Sequence, residues 1–442
     1  MSSLFVRGPA RLRGFASLPS DKSVAHRALL LAGIATGTSR IRVRDLGGDN
    51  RSTLAAIEAM GIRTSCGASE IVVEGAGLRG LRAPGGALDA GNSGTTMRLL
   101  CGLLAGQAFA ARIGGDASLT RRPMGRVVLP LRQMRARIEG REEGGDVRPP
   151  LVLEGLRPGE RLRGIEHRSP IPSAQVKSAL LLAGLYAEGQ TLVAEPIVSR
   201  DHTERALRSM GAPIATFGAS VGVDPEGWDG RLSPMDLDLP GDLSAAAFLL
   251  AATFATGSGP VVIDGVGVNP TRTGILDAFR DMGGRFTVVP KGDSGGEPVA
   301  EIHAQGGLVG GARVGGELFV RLVDEVPALV AAAATVDSVT EVRDAAELRV
   351  KESDRIALLV SLVRAFGLEA EELADGLRMR GGRTRPARVS SGGDHRIAMA
   401  AAVLGLVTEG ETVVDDVACI GTSFPGFVAT MRTLGADMEE RS

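Results

Sequence analysis

Apolar residues in this chain gather into Ala/Leu-rich runs, and six times such a run is opened by a short polar turn. The openings are Leu18-Pro19-Ser20-Asp21-Lys22-Ser23, Gly91-Asn92-Ser93-Gly94-Thr95 and Ile171-Pro172-Ser173-Ala174-Gln175 in the first half. Leu239-Pro240-Gly241-Asp242, Leu322-Val323-Asp324-Glu325 and Gly392-Gly393-Asp394-His395-Arg396 follow in the second. They recur every roughly seventy to eighty residues, the mark of one supersecondary unit repeated. Runs such as residues 179–187 and 245–253 are apolar on nearly every side, which predicts helices buried all round. A Gly turn and a β-rich stretch come next, as at residues 37–43, 189–193 and 410–414. A second helix then carries charge on one face, as at residues 201–210, and ends in a bulky apolar residue plus Gly. Met60-Gly61, Met210-Gly211, Met282-Gly283, Phe366-Gly367 and Leu434-Gly435 are the instances. Glycine there suits the left-handed residue just past a helix. The second repeat ends its helix near Met134 without one. Alternating strands such as residues 70–74 close each unit, so the repeat reads β-α-β-α-β-β.

Three buried helices under sheets make one domain, and six repeats make two. A shift to Pro and Asp at residues 231–239 predicts a crossover there. The expected domains are 21–237, and 1–20 with 238–442, with hinge crossings near 18–22 and 236–242. The strand before Leu18 is expected to pair with the last repeat.

Composition narrows the function. With 442 residues and a formal net charge of −2, the chain has cores enough for two domains and no basic field to attract nucleic acid. One Trp and one Tyr leave the cores to Ala, Leu and Val. The longest apolar runs fall short of the ~18 residues that suggest a membrane span. Three cysteines without CxxC spacing suit free thiols in a reducing cytoplasm, and the first residues lack a signal-peptide core.

Chemistry concentrates where cations meet the buried helices. A helix N-terminus offers unpaired N–H groups and partial positive charge, which favours anions. Lys22, Arg27, Arg98, Lys177 and Arg396 lie in or beside such apolar helices, where a lone charge is costly. For Arg98 and Lys177 an interdomain salt bridge is as good a reading as an anion contact. In Ser118–Met124 (SLTRRPM), Pro123 biases Arg122 to an extended conformation and starts the next helix. In Arg349–Arg355 (RVKESDR), Lys351 and Arg355 would share a helical face, with Glu352 beside them and Ser353 or Asp354 as N-cap. Asp324 is the exception, a carboxylate among cations; Asp242 shows no ligand and marks the crossover.

These motifs together resemble the enolpyruvyl (carboxyvinyl) transferases over essentially the whole chain, and most closely the members that act on shikimate 3-phosphate. The resemblance rests on Leu18–Arg27, Gly91–Arg98, Ser118–Met124, Ser173–Lys177, Ser199–Glu204, Leu348–Arg355 and Asp394–Met399. It implies a two-domain inside-out α/β barrel with the active site in the interdomain cleft. The implied reaction moves the carboxyvinyl group of phosphoenolpyruvate to the 5-hydroxyl of shikimate 3-phosphate by addition–elimination, with no metal or other cofactor. It implies that Lys22, Gly94, Arg122, Gln175, Arg355 and Arg396 bind phosphoenolpyruvate. Lys22, Ser23, Arg27, Ser173, Ala174, Gln175, Arg200, Asp324 and Lys351 would bind shikimate 3-phosphate. Asp324 is the expected base, Glu352 the acid, and Lys22 the stabiliser of developing charge. Two substrates with a phosphate and a carboxylate each bring roughly five to six negative charges. Lys22, Arg27, Arg122, Arg200, Lys351, Arg355 and Arg396 match that load.

Two positions depart from the family pattern. Thr422 stands where many members place Lys, and Glu347 where others place Asn, so Glu347 is expected to point away from the phosphate. The motifs Ser118–Met124, Ser199–Glu204 and Thr422–Phe427 look most like the herbicide-tolerant subclass, yet Gly94 is the small residue typical of sensitive members; glyphosate is expected at the phosphoenolpyruvate site. A monomer without membrane or nucleic-acid partners is expected. The nearest alternative is UDP-N-acetylglucosamine enolpyruvyl transferase, which usually carries a Cys where this chain has Ala117-Ser118-Leu119-Thr120. A nucleic-acid clamp built from repeats is the remote one.

Overall fold

A computed structural model of the chain describes residues 2–441. They divide into two compact domains. Domain 1 comprises Lys22–Leu239 and Ser294–Glu297; domain 2 comprises residues 2–21, Pro240–Asp293 and 298–441. The segment Ser294–Glu297 is a departure from the expected division. It is the turn between strands Arg285–Ser294 and Glu297–Gln305, and domain 1 holds it by side chains. His202 Nδ1 lies 2.7 Å from Glu297 Oε1, and Arg205 donates to the Gly296 carbonyl at 2.8 Å. No local pattern announces a turn that is claimed by contacts some ninety positions away.

Each repeat has an inner and an outer helix. The inner helices of domain 1 are Lys22–Ile34, Gly94–Ala105 and Ala174–Gly184; those of domain 2 are Leu243–Ala255, Val326–Ala333 and His395–Val407. From Leu243 to Phe254 every side chain is buried, as the all-round apolar run predicts. Burying each such Leu or Phe stabilises by about 1.5–3 kcal/mol. Small residues let these helices approach closely. A Cβ at Gly102 would lie 2.1 Å from the Ala179 carbonyl oxygen, so only glycine permits that crossing. The outer helices are amphipathic, His202–Ser209 and Gly274–Asp281 among them.

Outside these helices the described residues form six four-stranded sheets, three in each domain, and one two-stranded sheet. Their construction is uniform. A short strand preceding an inner helix pairs in parallel with the strand after it, and two antiparallel strands complete the sheet, as for Leu88–Asp89, Ala111–Gly114, Asp146–Glu154 and Arg137–Glu143. Two exchanges close each domain on itself. The strand Asp236–Asp238 pairs with Thr36–Arg42 in the first repeat, and Gly14–Ser17 pairs with Val261–Gly267 in the fourth. The strand Ser3–Gly8 lies between Gly410–Asp415 and Asp437–Arg441, antiparallel to both. The N-terminal strand thus does pair with the last repeat.

The glycines that close the outer helices all have positive φ: Gly61 +87°, Gly211 +84°, Gly283 +84°, Gly367 +87° and Gly435 +109°. In the second repeat Arg135 takes the same place, with φ 71°. The geometry is kept even where the residue type is not.

Candidate active site

In domain 1 the mouths of the three inner helices carry the candidate ligands. Lys22 opens the first helix, and its Nζ is 3.1 Å from Asp49 Oδ2. Asp49 comes from the outer helix Gly48–Ala59, where Asn50 also donates to the Lys22 carbonyl at 3.0 Å. Ser93 caps the second helix by accepting from Thr96 N, and Ser173 caps the third by accepting from Val176 N. Gln175, in the first turn of the third helix, donates to Thr95 Oγ1 at 2.8 Å and accepts from Arg98 at 2.6 Å. Arg122 is buried and extended, with φ −76° and ψ 142°, as its place before Pro123 predicts. It donates to Asn92 Oδ1 at 2.7 Å. The following helix begins at Gly125, two residues beyond the expected start at Pro123. Glycine at position 94 matters here, since a Cβ would lie 2.7 Å from Arg98 Nη1 and 3.1 Å from Arg122 Nη1. Two guanidinium groups crowd over the first turn because nothing projects from it.

Other cations of domain 1 are tied more tightly. Arg27 is buried and donates to Thr203 Oγ1, the Ser23 carbonyl and Ser178 Oγ at 2.6, 2.8 and 2.9 Å. Ser23 and Ala174 sit in the first turns of their helices, and half-buried Arg200 follows Ser199, whose hydroxyl donates to Glu195. Lys177 is paired within domain 1. Its ammonium is 2.9 Å from Glu195 and 2.8 Å from Glu204, all within domain 1. Burial pulls its pKa down, but Glu204 and Glu195 hold it above the ordinary lysine value. Arg98 donates to Gln175 Oε1 and to the Pro123 carbonyl.

In domain 2 the remaining candidates surround Asp324. This residue lies between a short helix, Gly316–Leu322, and the fifth inner helix. Arg355 Nη1 is 3.4 Å and Lys351 Nζ 3.8 Å from its Oδ1, and Arg396 donates to its carbonyl at 2.6 Å. Arg355 also meets Glu352 at 2.6 Å and Asp394 at 2.8 Å. Burial opposes the Arg355 charge, but Asp394, Glu352 and Asp324 raise its pKa well above the usual arginine value. Asp394 is itself buried, which would raise its pKa, yet Arg355 holds it below the usual aspartate value.

Two expectations fail in domain 2. Lys351 and Arg355 do not share a helical face, because Lys351 precedes the helix Arg355–Ala365, which Asp354 caps through Ala357 N. Glu347 does not turn away from the site but stands 3.9 Å from Lys351 Nζ, where it offsets that charge. Asp242 also has partners: it caps the fourth inner helix through Ser244 N and pairs with buried Arg272 at 3.4 Å. Thr422 makes a local bond to the Cys419 carbonyl. Sequence reasoning passed over Asp49 and the part played by Asp394. For Asp394 the signal was present, an Asp directly before an apolar helix; for Asp49 no local sign marks its partner twenty-seven positions away.

Among the described residues, no cluster of His, Cys, Asp and Glu could hold a metal ion, and no helix is long and apolar enough to cross a membrane. The chain matches the family model for EPSP synthase (3-phosphoshikimate 1-carboxyvinyltransferase) over residues 6–431. It is 46% identical over 429 residues to the 3-phosphoshikimate 1-carboxyvinyltransferase of Citrifermentans bemidjiense, covering 97% of this chain and 98% of that one. The enzyme of the same name from Geobacter metallireducens is 45% identical over 438 residues, with 99% and 100% covered. Among solved structures, an EPSP synthase from Acinetobacter baumannii superposes with a TM-score of 0.87 at 38% identity, covering 100% of both chains. Six β-α-β-α-β-β repeats with cations at the mouths of buried helices define the enolpyruvyl transferase fold, a two-domain inside-out α/β barrel. Within that class, this chain belongs to the EPSP synthase family.

Proposed function

We propose that the helix mouths of domain 1 and the Asp324 cluster of domain 2 serve one substrate pair. The chain transfers the enolpyruvyl group of phosphoenolpyruvate to shikimate 3-phosphate in the shikimate pathway, the route to aromatic amino acids. In this reading Lys22, Gly94, Arg122, Gln175, Arg355 and Arg396 take phosphoenolpyruvate. Lys22, Ser23, Arg27, Ser173, Ala174, Gln175, Arg200, Asp324 and Lys351 take shikimate 3-phosphate. Bidentate guanidinium groups suit the phosphates and carboxylates.

Asp324 takes the proton of the attacking hydroxyl as its oxygen bonds to the central carbon of phosphoenolpyruvate. Glu352 gives a proton to the methylene carbon and takes one back as phosphate leaves. Lys22 stabilises the charge that develops between. The supporting observation is the contact of one guanidinium, Arg355, with both Asp324 and Glu352. A substrate carboxylate that claims Arg355 releases Glu352 from its ion pair, which favours the protonated form an acid needs.

Glyphosate, an anionic competitor of phosphoenolpyruvate, occupies the same ligands in this reading. The protein acts as a monomer in the cytoplasm, a setting that suits its three free cysteines. The deciding measurement is phosphate release from phosphoenolpyruvate with shikimate 3-phosphate or UDP-N-acetylglucosamine as acceptor; turnover with only the latter would overturn the assignment. Asp324→Ala is expected to lower kcat about 10²–10⁴-fold, and full turnover in that variant would remove Asp324 as base.

A further inference from the structure

One buried side chain of domain 1 has no part in the ligand sets above and yet connects to them. His26 lies on the first inner helix and is fully buried. Its Nδ1 is 2.7 Å from Thr53 Oγ1 on the helix Gly48–Ala59. Thr53 Oγ1 is 2.7 Å from Thr96 Oγ1, and Thr96 donates to Ser93 Oγ at 2.8 Å. Ser93 is the cap of the second inner helix, directly between Asn92, which holds Arg122, and Gly94. All four side chains are buried. The chain of bonds therefore runs from the helix of Lys22 to the mouth of the helix at Gly94.

Chemistry gives this chain a direction. Burial, and after it the charges of Lys22 and Arg27, hold the His26 pKa well below the ordinary histidine value, so the ring is neutral and carries one N–H. Its Nε2 is buried with no hydrogen-bond partner. A bare acceptor costs less there than an orphaned N–H, so the proton is assigned to Nδ1, which donates to Thr53. Thr53 then donates to Thr96 and Thr96 to Ser93. The Ser93 oxygen also accepts from Thr96 N at 3.1 Å. With its lone pairs engaged, the cap stays fixed in the geometry that leaves the first N–H groups of the helix facing outward. The helix Gly48–Ala59 holds Lys22 through Asp49 as well, so one outer helix supports both anion-binding ends.

We infer that His26 is a positioning residue for phosphoenolpyruvate, setting the anion-binding mouth of the second inner helix through Thr53, Thr96 and the Ser93 cap. This rests on the ligand assignment of the preceding section. Three variants test it: His26→Leu, which keeps bulk and removes the donor; His26→Asn, whose amide reaches the Nδ1 position; and Thr53→Val, which cuts the chain one link on. Steady-state kinetics with phosphoenolpyruvate and shikimate 3-phosphate are read beside thermal melting. His26→Leu and Thr53→Val are expected to raise KM for phosphoenolpyruvate about tenfold, leaving KM for shikimate 3-phosphate within about twofold. His26→Asn is expected to restore most of the loss.

The inference is overturned if His26→Leu and His26→Asn behave alike, or if both KM values rise together. Should His26→Leu not fold, Thr53→Val against wild type decides by the same split. Arg122→Ala in parallel separates the two levels. If it raises KM for phosphoenolpyruvate while His26→Leu and Thr53→Val do not, only the positioning role falls. If Arg122→Ala leaves that KM unchanged, the ligand assignment and this inference fall together.

Discussion

Lys177 and Arg122 are both buried cations of domain 1, and their surroundings give them different work. Lys177 sits between Glu195 and Glu204, so its charge is answered inside the domain. Lys177→Met leaves those two carboxylates unpaired, and a loss of about 3–5 kcal/mol is expected from removing one partner of a buried pair. Denaturant unfolding reads this directly; an unchanged midpoint would show that the glutamates relax or take up protons at little cost. Arg122 donates to the amide oxygen of Asn92, beside a helix mouth with no side chain at position 94. In Gly94→Ala the new methyl presses on the mobile ends of Arg98 and Arg122 and not on backbone. The fold is expected to survive, while glyphosate inhibition weakens by about tenfold or more and KM for phosphoenolpyruvate rises less. Equal loss for inhibitor and substrate would count against a shared subsite.

Helix ends are where local sequence spoke most clearly. Ser93, Ser173, Asp242, Asp354 and Asp394 all act as caps, and each stands directly before an apolar helix. The glycines after the outer helices adopt positive φ because the chain must reverse there. Arg135 makes the same turn with a Cβ, at a steric cost of about 1–2 kcal/mol. Arg135→Gly removes that cost but adds freedom to the unfolded chain, worth about 0.5–1 kcal/mol. The net expectation is a gain of up to about 1.5 kcal/mol, seen as a higher unfolding midpoint; a loss would mean that the arginine side chain contributes more than its backbone costs. The charge-dense segment before Arg355 was less legible. Spacing of four suggested one helical face, but Asp354 starts the helix later and leaves Lys351 in the preceding turn. Spacing predicts a shared face only once the helix boundary is known, and two adjacent candidate caps left that boundary open.

At the level of the whole molecule, the N-terminal strand shows how far local reading reaches. Ser3–Gly8 is the third strand of a four-stranded sheet, flanked by segments more than four hundred residues away. Leu4 and Val6 are fully buried. Removing residues 2–8 is expected to expose both, at about 1.5–3 kcal/mol each, and to leave Gly410–Asp415 and Asp437–Arg441 without their common partner. Limited proteolysis should then cut domain 2 near those strands; a resistant domain would mean that the flanking strands pair with each other.

The sequence by itself determined the repeat, the buried and half-exposed helices, their caps and their glycine ends, because each depends on residues within a turn or two. It also placed most of the ligand candidates at helix mouths, since charge beside an apolar run is locally visible. Only the tertiary structure decided which of those cations are already answered. Glu195 and Glu204 claim Lys177, Asp49 claims Lys22, and Asp324, Glu352 and Asp394 share Arg355. Most of these pairings join segments far apart along the chain, and a charge is spent or available according to which carboxylate the fold brings within about 4 Å of it.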